Sequence, residues 1–90
     1  MPTPSPTPVP RDVTIRNNRF DPVDLTVHVG KTVVWYDAGS RHPVTSDTGE
    51  FNSGNVFAGD TYSHTFNSAG TYAYHCAVHA SMTGTIEVAP

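Results

Sequence analysis

The part of this 90-residue sequence best suited to chemistry is a short segment near its C-terminus. Cys76, His79 and Met82 follow the pattern Cys-x2-His-x2-Met. If this segment is a loop between two adjacent strands, the three side chains converge on one point. A thiolate, an imidazole and a thioether are soft to borderline ligands, a set that suits copper as it cycles between Cu(I) and Cu(II).

A fourth donor is needed to complete a copper site of two histidines and one cysteine with a weak axial methionine. His42 is the best candidate, 34 residues before Cys76 and just after the break that begins at Ala38. Each residue alone is weak evidence, because a lone cysteine is more often a small buried apolar residue than a ligand. The joint spacing, with the distant histidine, favours one copper ion held by His42, Cys76, His79 and Met82.

Two other kinds of site compete for the same residues. Structural zinc sites normally use four cysteine or histidine ligands and no methionine. A nucleophilic Cys–His pair needs an oxyanion hole and a third, orienting group. The sequence offers no acidic or amide residue close to Cys76 or His79 along the chain. We therefore expect a metal site and no catalytic residues, so the chain is not expected to be an enzyme.

The rest of the chain is patterned for strands. Alternation of apolar and polar residues places Val13 and Ile15 on one face, and Leu25, Val27 and Val29 on another inward face. We expect six to eight strands and no helix, hence a β-sandwich or small barrel. Residues 46–59 should form a long surface loop anchored by three apolar side chains, Phe51, Val56 and Phe57. The expected strands cover residues 12–16, 24–29, 32–37, 60–66, 71–76 and 83–88, with a short one at residue 44.

Composition excludes several classes of function. The net charge is −3 and only 14% of residues are charged, so a nucleic-acid partner is not expected. No apolar run approaches the roughly 20 residues of a membrane span, and one cysteine cannot form an internal disulfide. Prolines at alternate positions predict that residues 1–10 are an extended tail or linker, which could tether the single domain of residues 11–90.

These residues resemble the cupredoxins, the type 1 (blue) copper proteins, and within them the plastocyanin, amicyanin and halocyanin group. The resemblance spans roughly residues 13–88. It implies a Greek-key β-sandwich of 7–8 strands in which His42, Cys76 and His79 are equatorial copper ligands and Met82 is the axial one. The matching segments are residues 20–22, 29–35, 42–45, 59–62 and 70–76, and the ligand loop 76–82 is of the short amicyanin type.

The implied activity is one-electron transfer between redox partner proteins, which would dock at an apolar patch around the exposed edge of His79. Ala77, Val78 and Ala80 could contribute to that patch. We expect a monomer in the periplasm, outside the cell or at its surface. The alternatives are a copper-binding module for trafficking or oxidase assembly, and a domain of a larger redox enzyme.

Two features depart from the family pattern, the ligand loop and the residue after the first histidine. Prolines are common in the ligand loop of relatives, whereas this loop has Ala77, Val78 and Ala80. Pro43 follows the first histidine, where relatives often carry a residue whose N–H can donate to the cysteine sulfur. Since proline has no N–H, the hypothesis is that Cys76 loses this hydrogen bond and the reduction potential falls.

The other three histidines are not expected to bind the metal. His28 should point outward, His64 should pack among aromatic side chains or lie at a bulge, and His75 should face away from Cys76.

Overall fold

The structure is a computed structural model that describes residues 11–39, 41–79 and 81–90, in which all regular structure is β. The eight strands are β1 (Val13–Arg16), β2 (Arg19–Asp21), β3 (Asp24–His28), β4 (Thr32–Asp37), β5 (Val44–Ser46), β6 (Thr61–Thr65), β7 (Gly70–Cys76) and β8 (Thr83–Ala89). Within this part of the chain no helix has the length and apolar character needed to cross a membrane.

The strands form two four-stranded sheets packed as a Greek-key sandwich. One sheet has the order β2-β1-β4-β6 and the other the order β3-β8-β7-β5. β1 runs parallel to β4, and β3 runs parallel to β8, whereas the other neighbours are antiparallel. In consequence the end of β7, the start of β8 and the start of β5 meet at one end of their sheet, because Cys76 is opposite Val44 and His75 is opposite Thr83.

The core between the sheets is built on aromatic rings. Trp35 is fully buried and has the rings of Phe51, Tyr62 and Tyr74 at centroid distances of 5.6 Å. Cys76 belongs to the same buried cluster. Because aromatic side chains bury large apolar areas, this cluster supplies much of the stabilisation available to so small a domain.

Tyr74 packs directly on Gly84 in the neighbouring strand. A Cβ atom at residue 84 would overlap the Tyr74 ring, so the ring requires glycine there. Burial raises the pKa of the Tyr74 phenol to about 12, with a smaller opposing effect from Trp35. The Tyr74 hydroxyl has no hydrogen-bond partner among the described residues.

The structure confirms most predicted strands and corrects several details. The three-residue strand β2 was not predicted, because Arg19–Asp21 is too short to show an alternating pattern. Val29 is 43% exposed because β3 ends at His28, so its predicted inward position was wrong. Phe57 is 54% exposed and is no anchor, although Phe51 and Val56 are buried as predicted. The predicted tail, residues 1–10, lies outside the described residues.

The three histidines that are not expected to bind the metal lie as predicted. His28 is exposed. His64 packs between Phe51 and Phe66, at ring-centroid distances of 5.1 and 4.8 Å. His75 is half-buried on the side of β7 opposite to Cys76, and its Nδ1 is 2.6 Å from Asp47 Oδ1.

Candidate metal centre

Cys76 is the last residue of β7 and is fully buried. Its backbone N–H donates a hydrogen bond to the carbonyl of Met82 at 3.0 Å, across the base of the loop that joins β7 to β8. The Met82 N–H in turn donates to the His79 carbonyl at 2.8 Å. These two bonds hold the Cys-x2-His-x2-Met segment in a compact turn.

The side chains of this turn differ in their exposure to solvent. Met82 is buried, whereas His79 and Val78 are exposed. The Cys76 Sγ and His79 Nδ1 atoms are 3.9 Å apart. For first-row metals such as zinc, bonds of about 2.3 Å to sulfur and 2.0 Å to nitrogen at a trigonal angle place two such atoms about 3.7 Å apart. The observed separation is therefore close to that of two ligands of one ion.

His42 reaches the same place from the other segment of the chain. It lies in the connection between β4 and β5, and its backbone N–H donates to the Val56 carbonyl at 2.9 Å. Its ring is 2% exposed, and its centroid is 5.6 Å from that of His79. The structure thus brings His42 close to His79, and His79 close to Cys76, as the sequence predicts.

An acidic residue, Asp37, also lies at this site and was missed from the sequence. It ends β4 and is fully buried. Its Oδ1 accepts the Gly39 N–H at 2.9 Å and lies 3.3 Å from His42 Nδ1. Asp37 is 39 residues before Cys76 and 42 before His79, so it is not close to either of them along the chain. The available signal was an aspartate at a strand end, five residues before the candidate ligand His42.

The donor atoms fit a copper ion. His42 Nε2 is buried without a hydrogen-bond partner among the described residues, and buried polar atoms are otherwise nearly always satisfied. A ring nitrogen in that position is available to a metal. In this conformation, the described part of the chain has no group of three or more His, Cys, Asp or Glu side chains already arranged to hold a metal ion. A set with two imidazoles, one thiol and one thioether favours copper over zinc.

Comparison with known families decides the identity of the fold and the metal. The model of the copper binding proteins, plastocyanin/azurin family, matches residues 9–89. The chain belongs to this family of copper-binding cupredoxins. Its cofactor is therefore copper, in agreement with the donor set.

Two individual relatives support the same family membership. The cupredoxin is 40% identical over 83 residues to plastocyanin of Scenedesmus fuscus, covering 77% of this chain and 85% of the relative. It is 34% identical over 82 residues to amicyanin of Paracoccus denitrificans, covering 84% of this chain and 63% of the relative.

Solved structures support the fold at the level of the whole domain. A P94A mutant of amicyanin aligns with a TM-score of 0.78 and 34% identity, over 86% of this chain and 79% of its own. A purple cupredoxin from Nitrosopumilus maritimus aligns with a TM-score of 0.77 and 27% identity, over 86% and 97%. A copper-containing nitrite reductase from Thermus scotoductus aligns over all of this chain but only 24% of its own, so that likeness concerns one domain.

Proposed function

We propose that this cupredoxin is an electron carrier that shuttles single electrons between redox partner proteins, and that it is not an enzyme. The observation that carries the proposal is the division of the candidate ligands by exposure. Cys76, His42 and Met82 are buried, whereas His79 is exposed on the loop between β7 and β8. A partner can therefore approach the site through one imidazole while the other donors stay away from water.

The residues that we propose would hold copper are His42, Cys76, His79 and Met82. Copper bound there supplies a one-electron change between Cu(II) and Cu(I). The protein supplies fixed donors: Cys76 is anchored in the β-sheet, and His42 is held by its backbone bond to Val56. Fixed donors limit the rearrangement that accompanies each electron, because they keep one geometry in both oxidation states.

The proposed docking surface is apolar and surrounds His79. Val78 is 43% exposed beside it. Phe57 is exposed next to Val56, the residue whose carbonyl accepts the His42 N–H, so it belongs to the same end of the sandwich. A contiguous exposed apolar patch is typical of a protein-binding surface, and we propose that these side chains form one. Ala77 is also exposed, and Ala80 lies outside the described residues.

Charge at this surface is sparse, which suits brief encounters between partners. Arg41 is exposed directly beside His42, and the chain as a whole carries −3. Because so few charges give only weak long-range electrostatic steering, partner recognition depends mainly on the apolar patch. We propose a monomer in the periplasm, outside the cell or at its surface, with residues 1–10 as its link to a membrane or a neighbouring domain.

Reconstitution with copper tests this proposal. Cu(II) added to the metal-free protein should give an intense thiolate-to-copper absorption in the visible region and an EPR spectrum with the narrow copper splitting of a type 1 site. Cys76→Ser should lose the colour, whereas His28→Ala, which changes an exposed histidine on β3, should keep it. A colourless complex with the unchanged protein, or colour retained by Cys76→Ser, would contradict the proposal.

Kinetics separates an electron shuttle from a copper-trafficking module. The shuttle predicts fast electron self-exchange, measured by NMR line broadening in mixtures of the oxidised and reduced forms, and slow release of copper to a chelator. Slow self-exchange combined with rapid copper transfer would favour trafficking instead.

A further inference from the structure

The positive charges of this cupredoxin are distributed unevenly, although the chain as a whole carries −3. Two of its exposed arginines, Arg19 and Arg41, have no hydrogen-bond or ion-pair partner among the described residues. By contrast, Arg16 pairs with Asp21 at 2.9 Å and Lys31 with Asp12 at 3.3 Å. The two unpaired arginines are therefore the cations that remain available to another molecule.

Arg19 lies at the end of the sandwich that holds the candidate metal ligands, which we call the ligand end. There the His42 ring lies 3.3 Å from Asp37, the last residue of β4. Ile15 is opposite Asp37 in the parallel register of β1 and β4. β1 ends one residue later at Arg16, which is opposite Arg19 on β2. The tip of the β1–β2 hairpin is thus part of the ligand end.

Arg16 and Arg19 place two positive charges opposite each other at this hairpin tip. Asn17 and Asn18 between them have left-handed φ values of 53° and 55°, as a tight two-residue turn requires. Like charges directly opposite each other in a sheet are destabilising. The pairing with Asp21 compensates Arg16 but leaves Arg19 uncompensated. The fold therefore gains nothing from the charge of Arg19.

Arg41 adds a second unpaired cation at the ligand end, because it directly precedes the buried His42. The ligand end also has one exposed acid, Asp60, whose carboxylate accepts the Phe57 N–H at 3.2 Å. The other exposed acids belong to the second sheet or to the loop after β5. They are Asp24, Asp47, Glu50 and Glu87. The unpaired charge near the candidate ligands is thus opposite in sign to the net charge of the chain.

We propose that Arg19 and Arg41 lie on the rim of the apolar docking patch and select a redox partner whose docking face carries acidic side chains. This inference deepens the proposed electron-transfer function and rests on it. The apolar patch supplies the contact area, whereas complementary charge speeds the encounter and disfavours wrong partners. Judged by net charge alone, the preferred partner would be basic.

Reactions with two small oxidants of opposite charge test the sign of the local charge. The reduced protein gives one electron to ferricyanide, in which Fe(III) becomes Fe(II), or to tris(phenanthroline)cobalt(III), in which Co(III) becomes Co(II). At about 0.1 M ionic strength, a unit charge about 10 Å from a trivalent ion in water changes the encounter rate about twofold. The double variant Arg19→Gln/Arg41→Gln should therefore react about fourfold more slowly with ferricyanide and faster with the cobalt complex, measured by stopped flow.

Lys31→Gln is the matched control, because it removes an equal charge from an exposed side chain at the far end of β4. Lys31 is six residues before Asp37, which is about 20 Å along a strand. Its removal should change either rate by less than about 1.2-fold at that ionic strength. Equal effects of Lys31→Gln and the double variant would overturn the proposal. Changes of the same sign with both oxidants would also overturn it, since they indicate an altered potential.

A titration with an acidic peptide needs no copper. In ¹⁵N–¹H spectra of the metal-free protein, hexaglutamate should shift the amide signals of residues 16–19 and 41, and the double variant should lose these shifts. Shifts centred on Lys31, or none, would contradict the proposal. Binding to phosphatidylglycerol vesicles without binding to hexaglutamate would replace the acidic protein partner by a membrane surface. If the copper-loaded protein exchanges electrons with neither oxidant, the proposed function fails, whereas the peptide titration still tests the arginines.

Discussion

Pro43 is the residue at which a single substitution should most directly tune the copper site. Val44 is opposite Cys76 in the sheet, so residue 43 adjoins the cysteine. The N–H groups on either side are already used: His42 donates to the Val56 carbonyl and Val44 to Ser53 Oγ. A donor to the Cys76 sulfur from this segment would have to come from residue 43, where proline has no N–H.

The magnitude follows from the strength of a hydrogen bond to a charged acceptor, about 1.5–3 kcal/mol. Such a bond stabilises the reduced state more, because more negative charge stays on the sulfur when copper is Cu(I). If about half of the bond energy distinguishes the two states, the potential rises by about 30–60 mV, at about 59 mV for each factor of ten. We therefore expect Pro43→Ala and Pro43→Asn to raise the reduction potential by that amount.

The assay is protein-film voltammetry of the two copper-loaded variants beside the unchanged protein. Pro43→Ala restores only the N–H, so agreement between the two variants assigns the shift to the backbone and not to the asparagine side chain. EPR spectra that keep the same copper splitting would show that the ligand geometry is preserved. An unchanged or lower potential in both variants would refute the reasoning.

Three further predictions concern packing, ionisation and docking. Gly84→Ala should lower the free energy of unfolding by about 1–3 kcal/mol, seen as a lower Tm, because its Cβ would overlap the Tyr74 ring; an unchanged Tm would contradict this. Because burial raises the pKa of Tyr74 from 10.0 to about 12, the native state keeps the phenol proton to a higher pH than the unfolded state does. The stability that this difference provides is lost as pH rises from 10 to 12. Between pH 9 and pH 12, Tyr74→Phe should therefore lose about 2–3 kcal/mol less free energy of unfolding than the unchanged protein, measured by urea unfolding. An equal loss in both proteins would contradict this prediction. Phe57→Ala should leave Tm and potential unchanged but slow electron transfer with a redox partner, whereas Val29→Ala, also exposed but outside this patch, should not; equal rates for both would argue against docking at Phe57.

The sequence predicted the strands well where side chains alternate between the core and solvent. β4 and β7 show this most clearly, because their buried residues, among them Trp35 and Tyr74, recur at every second position. The spacing of Cys76, His79 and Met82 predicted the loop for a related reason, since a cysteine at a strand end and a methionine before the next strand must lie at one end of the sheet. That these residues bind copper remains a prediction.

What the sequence could not provide depends on contacts between distant segments. Val29 has the residue type of a buried strand position, but β3 ends one residue earlier. Phe57 is as apolar as Phe51, yet only Phe51 reaches Trp35 in the core. Asp37 belongs to the site only because the connection from β4 to β5 folds back and places His42 against it. Local patterning shows that Asp37 ends a strand a few residues before His42, but it does not show that the two side chains meet.

The hydrophobic core and the proposed metal site share residues in this small domain. Cys76 is a member of the hydrophobic cluster and a candidate ligand at the same time. His42 is held by the loop at Val56, whose own side chain is buried. The packing that stabilises the sandwich therefore also fixes two donors before any metal arrives. His79 differs because it lies on an exposed loop without proline, so as a ligand it would combine access for a partner with freedom to adjust to the ion.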